Sequence, residues 1–174
     1  MQLDELQQYI RRDCLEINGI PIIPVNDNPA LLVQEMSTLI GVQLEENDIS
    51  TAHRLPPTKK IKNRLIVKFT RREKRDEVYK KRKNLKSKRY NDLQTVASAG
   101  ISHKAPIHIN ESLTTYRKRL FGRILEFKRE HNYKFIWTAN GKIMLRETDT
   151  SPTKCFVTFE KFDEFVDEQY QTIL

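Results

Sequence analysis

The sequence predicts an α+β protein made of two small units, and three observations support this fold class. Strand-like and helix-like patterns alternate over residues 13–110 in the order strand, helix, strand, strand, helix, strand. A separate series follows over residues 111–174, where a helix precedes a hairpin, a third strand and a last helix. The 174 residues are 38% hydrophobic and 31% charged, which is enough for two small domains. Residues 1–12 are predicted to be the end of a coiled coil or a helical linker that precedes the first domain.

The first predicted domain begins with a strand and a helix that have clear boundaries. Leu15 and Ile17 alternate with polar residues, which predicts a strand with one buried face. Asn28 is suited to cap a helix and Pro29 to occupy its first turn, while Gly41 is suited to end it.

The clearest strand is KNRLIVKF, in which Leu65, Val67 and Phe69 share one face. A weaker strand, DISTAHR, precedes it, the helix REKRDEVYKKRKNL follows, and PIHIN forms a last strand. This βαββαβ order is that of the ferredoxin-like arrangement, an antiparallel four-stranded sheet with both helices on one side. The opposite face of such a sheet is left open.

The C-terminal unit contains a strong hairpin signal. Ser112 or Thr114 can cap its first helix. Asn140 and Gly141 lie between two apolar runs, and both turn positions of a two-residue hairpin need φ > 0. CFVTF then predicts a third strand, and KFDEFVDEQY predicts an amphipathic helix.

Two alternatives remain for residues 1–12. Leu3, Leu6 and Ile10 are spaced three and then four residues apart, which predicts a helix with an apolar seam. This helix is either the end of a coiled coil or a helical cap that packs on its own domain. The segment is too short to form a stable coiled coil alone.

The net charge of +8 is concentrated in the middle of the chain. Residues 54–89 carry 17 Lys and Arg against 3 Asp and Glu, whereas residues 1–53 carry 2 against 9 and residues 147–174 carry 2 against 7. Such crowding of like charges is self-repulsive, and a polyanion would relieve it. Nucleic acid is the commonest polyanion, and the alternative is a solvated basic face without a ligand.

Several classes of protein do not fit the sequence. The two cysteines lie in apolar, strand-like contexts, so we expect buried thiols in a reduced, intracellular protein. No segment is apolar enough to cross a membrane, and the first residues do not form a secretory signal.

The histidines are isolated, no known catalytic motif occurs, and the carboxylates lie largely outside the basic block. We therefore expect no enzymatic activity, no cofactor and no metal site.

RNA-recognition motifs share this βαββαβ order and carry the pattern K/R-G-F/Y-G/A-F-V-x-F/Y in the third strand. KNRLIVKF matches this pattern in part, but it places Arg64 and Ile66 where the two outward aromatic rings belong. Glu16 stands where another ring would stack on a base. An ordinary structural strand explains the buried residues equally well.

Five segments occur in a characteristic order: RRDCLEINGIP, AHRLPP, RLIVKFTRREKRDEVYKKRKNLK, IHINESLTTYRKRLF and WTANGKIMLR. Their order resembles that in the first-open-reading-frame proteins of LINE-type retrotransposons. The residues within the segments are even more similar to those of baculovirus FP proteins and their insect relatives. The resemblance implies a coiled coil, a noncanonical RNA-recognition motif that also lacks the usual aromatic pair, and a small C-terminal domain. Such proteins bind and chaperone single-stranded nucleic acid, and the LINE members form trimers. The very short coiled-coil pattern leaves the oligomeric state of this chain open.

The resemblance also implies a binding groove between the two domains. By position, the cations of this groove are Arg11, Arg12, Arg64, Lys68, Lys81, Arg82, Lys83, Lys86, Lys88, Arg89, Arg117, Arg123, Lys142 and Arg146. Tyr133 and Trp137 are the candidate stacking residues, although rings in a hairpin commonly belong to the core. The cluster at 80–89 favours phosphate contact, which is compatible with a second role as a nuclear-import signal.

The predicted function is therefore binding of single-stranded nucleic acid, with RNA favoured, by a homo-oligomer of retrotransposon or viral origin. The protein would package or chaperone nucleic acid in a cytoplasmic ribonucleoprotein or in the nucleus. The alternative is a protein-interaction module of a viral or domesticated relative, which keeps the fold without strong nucleic-acid binding. In that case the acidic C-terminal helix would bind a partner.

Overall fold

The computed structural model describes residues 3–171, with side chains up to residue 169, and it mixes helices with two sheets. The helices are α1 (Leu3–Ile10), α2 (Pro29–Leu39), α3 (Arg72–Lys81), α4 (Gln94–Ser98), α5 (Thr115–Glu130) and α6 (Phe159–Gln171). The strands are β1 (Cys14–Asn18), β2 (Ile49–Arg54), β3 (Arg64–Phe69), β4 (His108–Glu111), β5 (Phe135–Ala139), β6 (Lys142–Arg146) and β7 (Lys154–Phe156).

The chain divides into two compact units. The central unit is Asp13–Ser112, and it contains the first sheet. The terminal unit joins the segment that ends at Arg12 to the segment that begins at Leu113, and it contains the second sheet. The boundary thus lies two residues beyond the end of the first domain that the sequence predicts.

The central sheet has the strand order β2-β3-β1-β4, and every neighbouring pair is antiparallel. Leu15, Ile17, Leu65 and Val67 are completely buried on one face, as their alternation with polar residues predicts. Residues of α2 and α3 belong to the same hydrophobic core, so both helices cover this face. The outer face carries the alternate residues of each strand.

The helix α2 begins as the sequence predicts. The side chain of Asn28 accepts a hydrogen bond from the backbone N–H of Leu31, and Pro29 is the first helical residue. Gly41 follows the end of the helix with φ of +84°. These three predictions are confirmed.

The segment after α3 is more structured than the sequence predicts. The helix ends at Lys81 instead of continuing to Leu85, and a 3₁₀ turn follows over Arg82–Ser87. A second 3₁₀ turn and the short helix α4 occupy part of the predicted loop at 86–105. Leu85, Leu93 and Val96 are buried, so isolated apolar anchors hold this segment on the core without a helical stripe.

In the terminal unit, β5, β6 and β7 form an antiparallel sheet in that order. Asn140 and Gly141 connect β5 to β6 with φ of 53° and 74°, which confirms the predicted hairpin. The side chain of Thr114 caps α5. Residues of α5, α6 and the sheet form a separate core around Leu120 and Phe162.

The N-terminal helix α1 belongs to the terminal unit and contacts it through polar side chains. Asp4 accepts a hydrogen bond from Nε of Arg117 at 2.8 Å, and the buried Gln8 side chain accepts one from the backbone N–H of Thr114 at 3.0 Å. The apolar seam lies elsewhere on the helix, since Leu3 and Ile10 are 71% and 62% exposed. The helix therefore packs on the terminal unit and also leaves the predicted coiled-coil face open.

Neither cysteine forms a disulfide bond. Cys14 is half-buried and Cys155 is exposed, so the expectation of two buried thiols is wrong for Cys155 and only partly met by Cys14. The reason is the alternation of β7, because Phe156 points into the core and Cys155 must point outward.

Candidate nucleic-acid interface

The terminal sheet has one face on its core and one face that carries aromatic, sulfur-containing and cationic side chains. Ile143 and Leu145 are completely buried on the core side. Strand alternation places Phe135, Trp137 and Arg146 on the other side, and all three are half-buried. We call this side the aromatic face, and its members are Phe135, Trp137, Lys142, Met144, Arg146 and Cys155.

Arg146 lies between the two rings of the aromatic face. Its guanidinium carbon is 4.6 Å from the centroid of Phe135, its direct partner across the strands, and 5.8 Å from that of Trp137. Its Nε is buried, and among the described residues it has no hydrogen-bond partner. Flat rings beside a guanidinium are the groups on which unpaired bases stack.

Lys142 adds positive charge to this face, whereas the charge of the nearby Lys134 is paired with a carboxylate. Lys142 is exposed at the start of β6, two positions from the half-buried Met144. Lys134 precedes Phe135, and its ammonium group lies 5.1 Å from the ring centroid of Phe135. Lys134 also forms an ion pair with Asp149, whose pKa is lowered by this hydrogen bond.

Tyr133 occupies a different place from the one that the sequence suggested. It packs against the ring of Phe127 at 5.6 Å, beside the core of the terminal unit. Burial, together with the nearby carboxylate of Glu147, raises the pKa of its hydroxyl. Tyr133 is therefore a core-edge residue, and we remove it from the candidate stacking residues.

Two arginines of α5 are held by carboxylates. Arg117 is only 5% exposed, donates to Asp4 and donates a second hydrogen bond to the carbonyl oxygen of Gly141 at 2.7 Å. It joins α1, α5 and the hairpin turn, and its guanidinium is too buried to contact a phosphate. Arg123 is half exposed and pairs with Asp163 on α6 at 2.6 Å. We therefore assign Arg117 a structural role and give Arg123 a minor place in the interface.

The basic segment of the central unit presents its cations to different degrees. Lys80, Lys83 and Lys86 are exposed. Lys81 donates to the carbonyl oxygen of Gly41, and Arg82 stacks on the ring of Tyr79 at 3.8 Å.

Next in this segment, Lys88 is half-buried, and Arg89 donates to the carbonyl oxygens of Lys86 and Lys88. These contacts hold Arg89 along the backbone of the turn. The exposed lysines are thus the best placed of this segment for phosphate contact.

On the outer face of the central sheet, Arg64 and Glu16 neutralise each other. Arg64 donates to Glu16 at 3.4 Å and to the carbonyl oxygen of Pro56 at 2.8 Å. Glu16 thus carries a paired charge and is a weaker obstacle to a polyanion than the sequence suggested. Lys68 is exposed near the other end of β3.

Arg11 and Arg12 follow α1, in the terminal unit. Arg11 is exposed, whereas Arg12 lies over the ring of Tyr9 at 3.6 Å and donates to its carbonyl oxygen. Both remain candidates, with Arg12 already ordered against an aromatic ring.

Phe135, Met144 and Lys134 were missed by the sequence argument. For Phe135 and Met144 the signal was the alternation of the two hairpin strands, which places both on the same side as Trp137. The sequence alone could not tell which side of the hairpin faces the core, because both sides carry apolar residues.

Comparison with family models matches residues 114–158 to the model described as baculovirus FP protein domain 2. The matched segment runs from the cap of α5 through β7, and it contains the whole aromatic face. The chain is therefore similar, over this segment, to baculovirus FP proteins. Comparison with curated proteins found no match.

Between residues 3 and 171, no helix is both long and apolar enough to cross a membrane. In the same part of the chain, no three His, Cys, Asp or Glu residues come together in a way that could hold a metal ion.

Proposed function

We propose that this protein binds single-stranded nucleic acid, with RNA as the favoured form. The observation that carries the proposal is the aromatic face, where Arg146 lies between Phe135 and Trp137 on a face of the sheet away from its core. Single-strand binders combine such flat groups for the bases with cations for the backbone. On the same face, the exposed Lys142 supplies a cation, and the exposed lysines of the central unit are separate candidates for backbone contact.

The aromatic face lies within the segment that matches baculovirus FP protein domain 2. We further propose that the central unit is a noncanonical RNA-recognition motif of the kind found in LINE-type retrotransposon proteins. Its strand order β2-β3-β1-β4 is the order of that fold, and its outer face lacks the usual rings. Packaging or chaperoning of RNA in the cytoplasm or nucleus would follow from this assignment.

We also propose that the chain self-associates through the exposed apolar seam of α1. Leu3, Leu6 and Ile10 are each more than 45% exposed, and such a seam is the contact surface of a coiled coil. Light scattering of the full chain tests this, and a monomer at every concentration contradicts it.

Substitution of Trp137 tests the aromatic face. Trp137→Leu keeps an apolar side chain but removes the ring, and we expect it to weaken binding of a labelled single-stranded RNA by about 5- to 150-fold, since one stacked base contributes about 1–3 kcal/mol. Trp137→Phe should retain most of the affinity, because it keeps a ring in the same place. The matched control is Tyr133→Leu, which removes a half-buried ring of the same unit that packs on Phe127, away from the aromatic face. Equal affinities of all four proteins in an anisotropy titration contradict the proposal.

Charge reversal tests the basic segment. The triple variant Lys80→Glu, Lys83→Glu, Lys86→Glu changes three exposed cations, and we expect it to abolish RNA retention on a filter. A control variant with the same change in net charge, Arg119→Glu, Arg129→Glu, Lys161→Glu, should retain RNA. Loss of retention in both variants would indicate a nonspecific charge effect. Retention by both, with partner binding through the acidic helix, would favour the protein-interaction module.

A further inference from the structure

A cleft with polar residues on its floor lies at one end of the central sheet, entirely within the central unit. Its volume is about 570 Å³, within the range of about 300–1,000 Å³ typical of small-molecule sites. Asn18 of β1 and His108 of β4 are direct partners in the sheet, and Asn110 lies two residues further along β4 on the same face. Ile17 and Ile109 point to the core on the other face, so these three polar side chains form the floor of the cleft.

Two loops form the walls. The β2–β3 connection is closed by a hydrogen bond from the backbone N–H of Thr58 to the carbonyl oxygen of Ile61, and it presents Lys60, Ile61 and Lys62. The opposite wall contains Tyr90 and His103, whose ring centroids are 6.2 Å apart.

Gly19 allows the floor to form. Its φ is +108°, and a Cβ at this position would lie 2.2 Å from the carbonyl oxygen of Pro106. Its backbone N–H donates to the carbonyl oxygen of Asn63 at 2.9 Å, which ties the end of β1 to the loop. Only glycine permits both the backbone conformation and the close approach.

The chemistry of the cleft has three parts. Lys60 and Lys62 supply positive charge, and none of the described carboxylates lines the cleft. His103 and Ile61 offer a flat ring and an apolar side chain against which a base can lie. Oδ1 of Asn18 is buried and, within the described residues, has no hydrogen-bond partner. A buried acceptor without a partner is costly, so a ligand with an N–H donor would be bound there.

We infer that this cleft holds one nucleotide unit of the bound strand, with an amino-bearing base on Asn18 and the phosphate on Lys60 and Lys62. The inference rests on the proposed function and adds a second contact point for bases, on the central unit. Adenine carries an exocyclic amino group that can donate to Oδ1 of Asn18, and a free phosphate would use only the two lysines.

The experiment uses the full chain labelled with ¹⁵N and three probes: AMP, purine riboside 5′-monophosphate, which lacks the amino group, and ribose 5-phosphate. We expect AMP to shift the side-chain amide signals of Asn18 and Asn110. The probe without the amino group should bind about fivefold more weakly, which corresponds to one hydrogen bond. Ribose 5-phosphate should leave the Asn18 signal in place. Equal shifts from all three probes would show an anion site only and overturn the inference.

A single-stranded oligoadenylate distinguishes a strand from a free nucleotide. It should produce the AMP shifts at much lower concentration, because other contacts add to the cleft. The variant Lys60→Ala, Lys62→Ala should weaken AMP binding at least about fivefold. The control variant Lys59→Ala, Lys104→Ala removes two neighbouring lysines that do not line the cleft, and it should leave the affinity for AMP unchanged.

Two outcomes separate this inference from the proposed function. If oligoadenylate binds in an anisotropy titration while the signals of Asn18 and Asn110 stay in place, the cleft is not a nucleotide site and the proposed function stands. If the strand does not bind at all, both are overturned.

Discussion

Arg75 is the most enclosed cation of the central unit, and it binds Glu111 at 2.7 Å. Their side chains are 4% and 1% exposed, and the pair connects α3 to the end of β4. Hydrogen bonds from Arg75 to Glu111 and Asp76 outweigh burial and raise the pKa of its guanidinium. A carboxylate of this kind neutralises a charge that water cannot reach.

Glu111→Ala should therefore lower the free energy of unfolding by about 3–5 kcal/mol, because it leaves the buried guanidinium of Arg75 without its main partner. The double variant Arg75→Met, Glu111→Leu should cost less than Glu111→Ala, since it removes both charges. The control is Asp163→Ala, which breaks the exposed pair with Arg123 and should cost at most about 1 kcal/mol. Urea denaturation followed by circular dichroism measures all three, and equal losses would contradict the assignment.

A second pair makes stability depend on pH. Hydrogen bonds from Arg54 lower the pKa of Asp27 in the folded state, and Arg54 also donates to the carbonyl oxygens of Ile20 and Pro21. The contribution of this carboxylate is complete above its unfolded pKa of about 3.9 and is lost as the pH falls through the lower folded value. The difference in unfolding free energy between the wild-type protein and Asp27→Asn should thus shrink as the pH falls from 6 to about 3. A difference that is constant over this range would contradict the pairing.

The sequence identified the cations of the candidate interface but not the contacts that each one makes. Arg117 and Lys86 look alike in the sequence, yet one is buried against Asp4 and the other is exposed. The difference depends on α1, whose partner lies more than a hundred residues away in the chain. No local pattern contains that information, and for the same reason the pairing of Arg64 with Glu16 could not be predicted.

At the scale of elements, the position of α1 depends on its close packing against the hairpin turn between β5 and β6. Gly141 has φ of +74°, and a Cβ at this position would lie 2.5 Å from Cγ of Gln8, which is buried in α1. Arg117 donates to the carbonyl oxygen of the same glycine. The turn, α1 and α5 are thus held at one point.

Gly141→Ala should destabilise the terminal unit by at least about 1–2 kcal/mol, from the left-handed backbone alone, and should displace α1. The fluorescence of Trp137, which is the single tryptophan of the chain, reports unfolding of this unit in urea. Gly100→Ala is the control, because Gly100 also has positive φ but a Cβ added there would meet none of the described atoms within 4 Å; since Gly100 lies in the central unit, circular dichroism follows the unfolding of this variant. A similar loss of stability in both variants would mean that contact with Gln8 contributes nothing.

Elements with strong periodicity or strong caps were predicted well. The strand β3 and the hairpin are examples, because alternation and the Asn140–Gly141 turn are local signals. The 3₁₀ turns and α4 were missed, because Leu85 and Val96 are single buried residues that belong to no repeating apolar pattern. Such isolated anchors produce no period that a sequence pattern can reveal.

At the scale of the whole molecule, charge is distributed unevenly. The 36 residues of the basic segment from 54 to 89 contain more than half of the Lys and Arg residues of the chain, whereas residues 1–53 and 147–174 are acidic. Arg64 and Arg75 in this segment are neutralised by Glu16 and Glu111, but the exposed lysines are not buried against carboxylates. The remaining repulsion is the reason to expect a polyanionic ligand.

The most direct test is a salt titration of binding to a labelled single-stranded RNA, followed by fluorescence anisotropy. Each contact between a cation and a phosphate of a single strand releases about 0.7 counterion, so roughly six contacts predict that log K falls with log [salt] at a slope of about −4. A slope near this value would support the account. No binding in dilute buffer, or an affinity that does not change with salt, would contradict it.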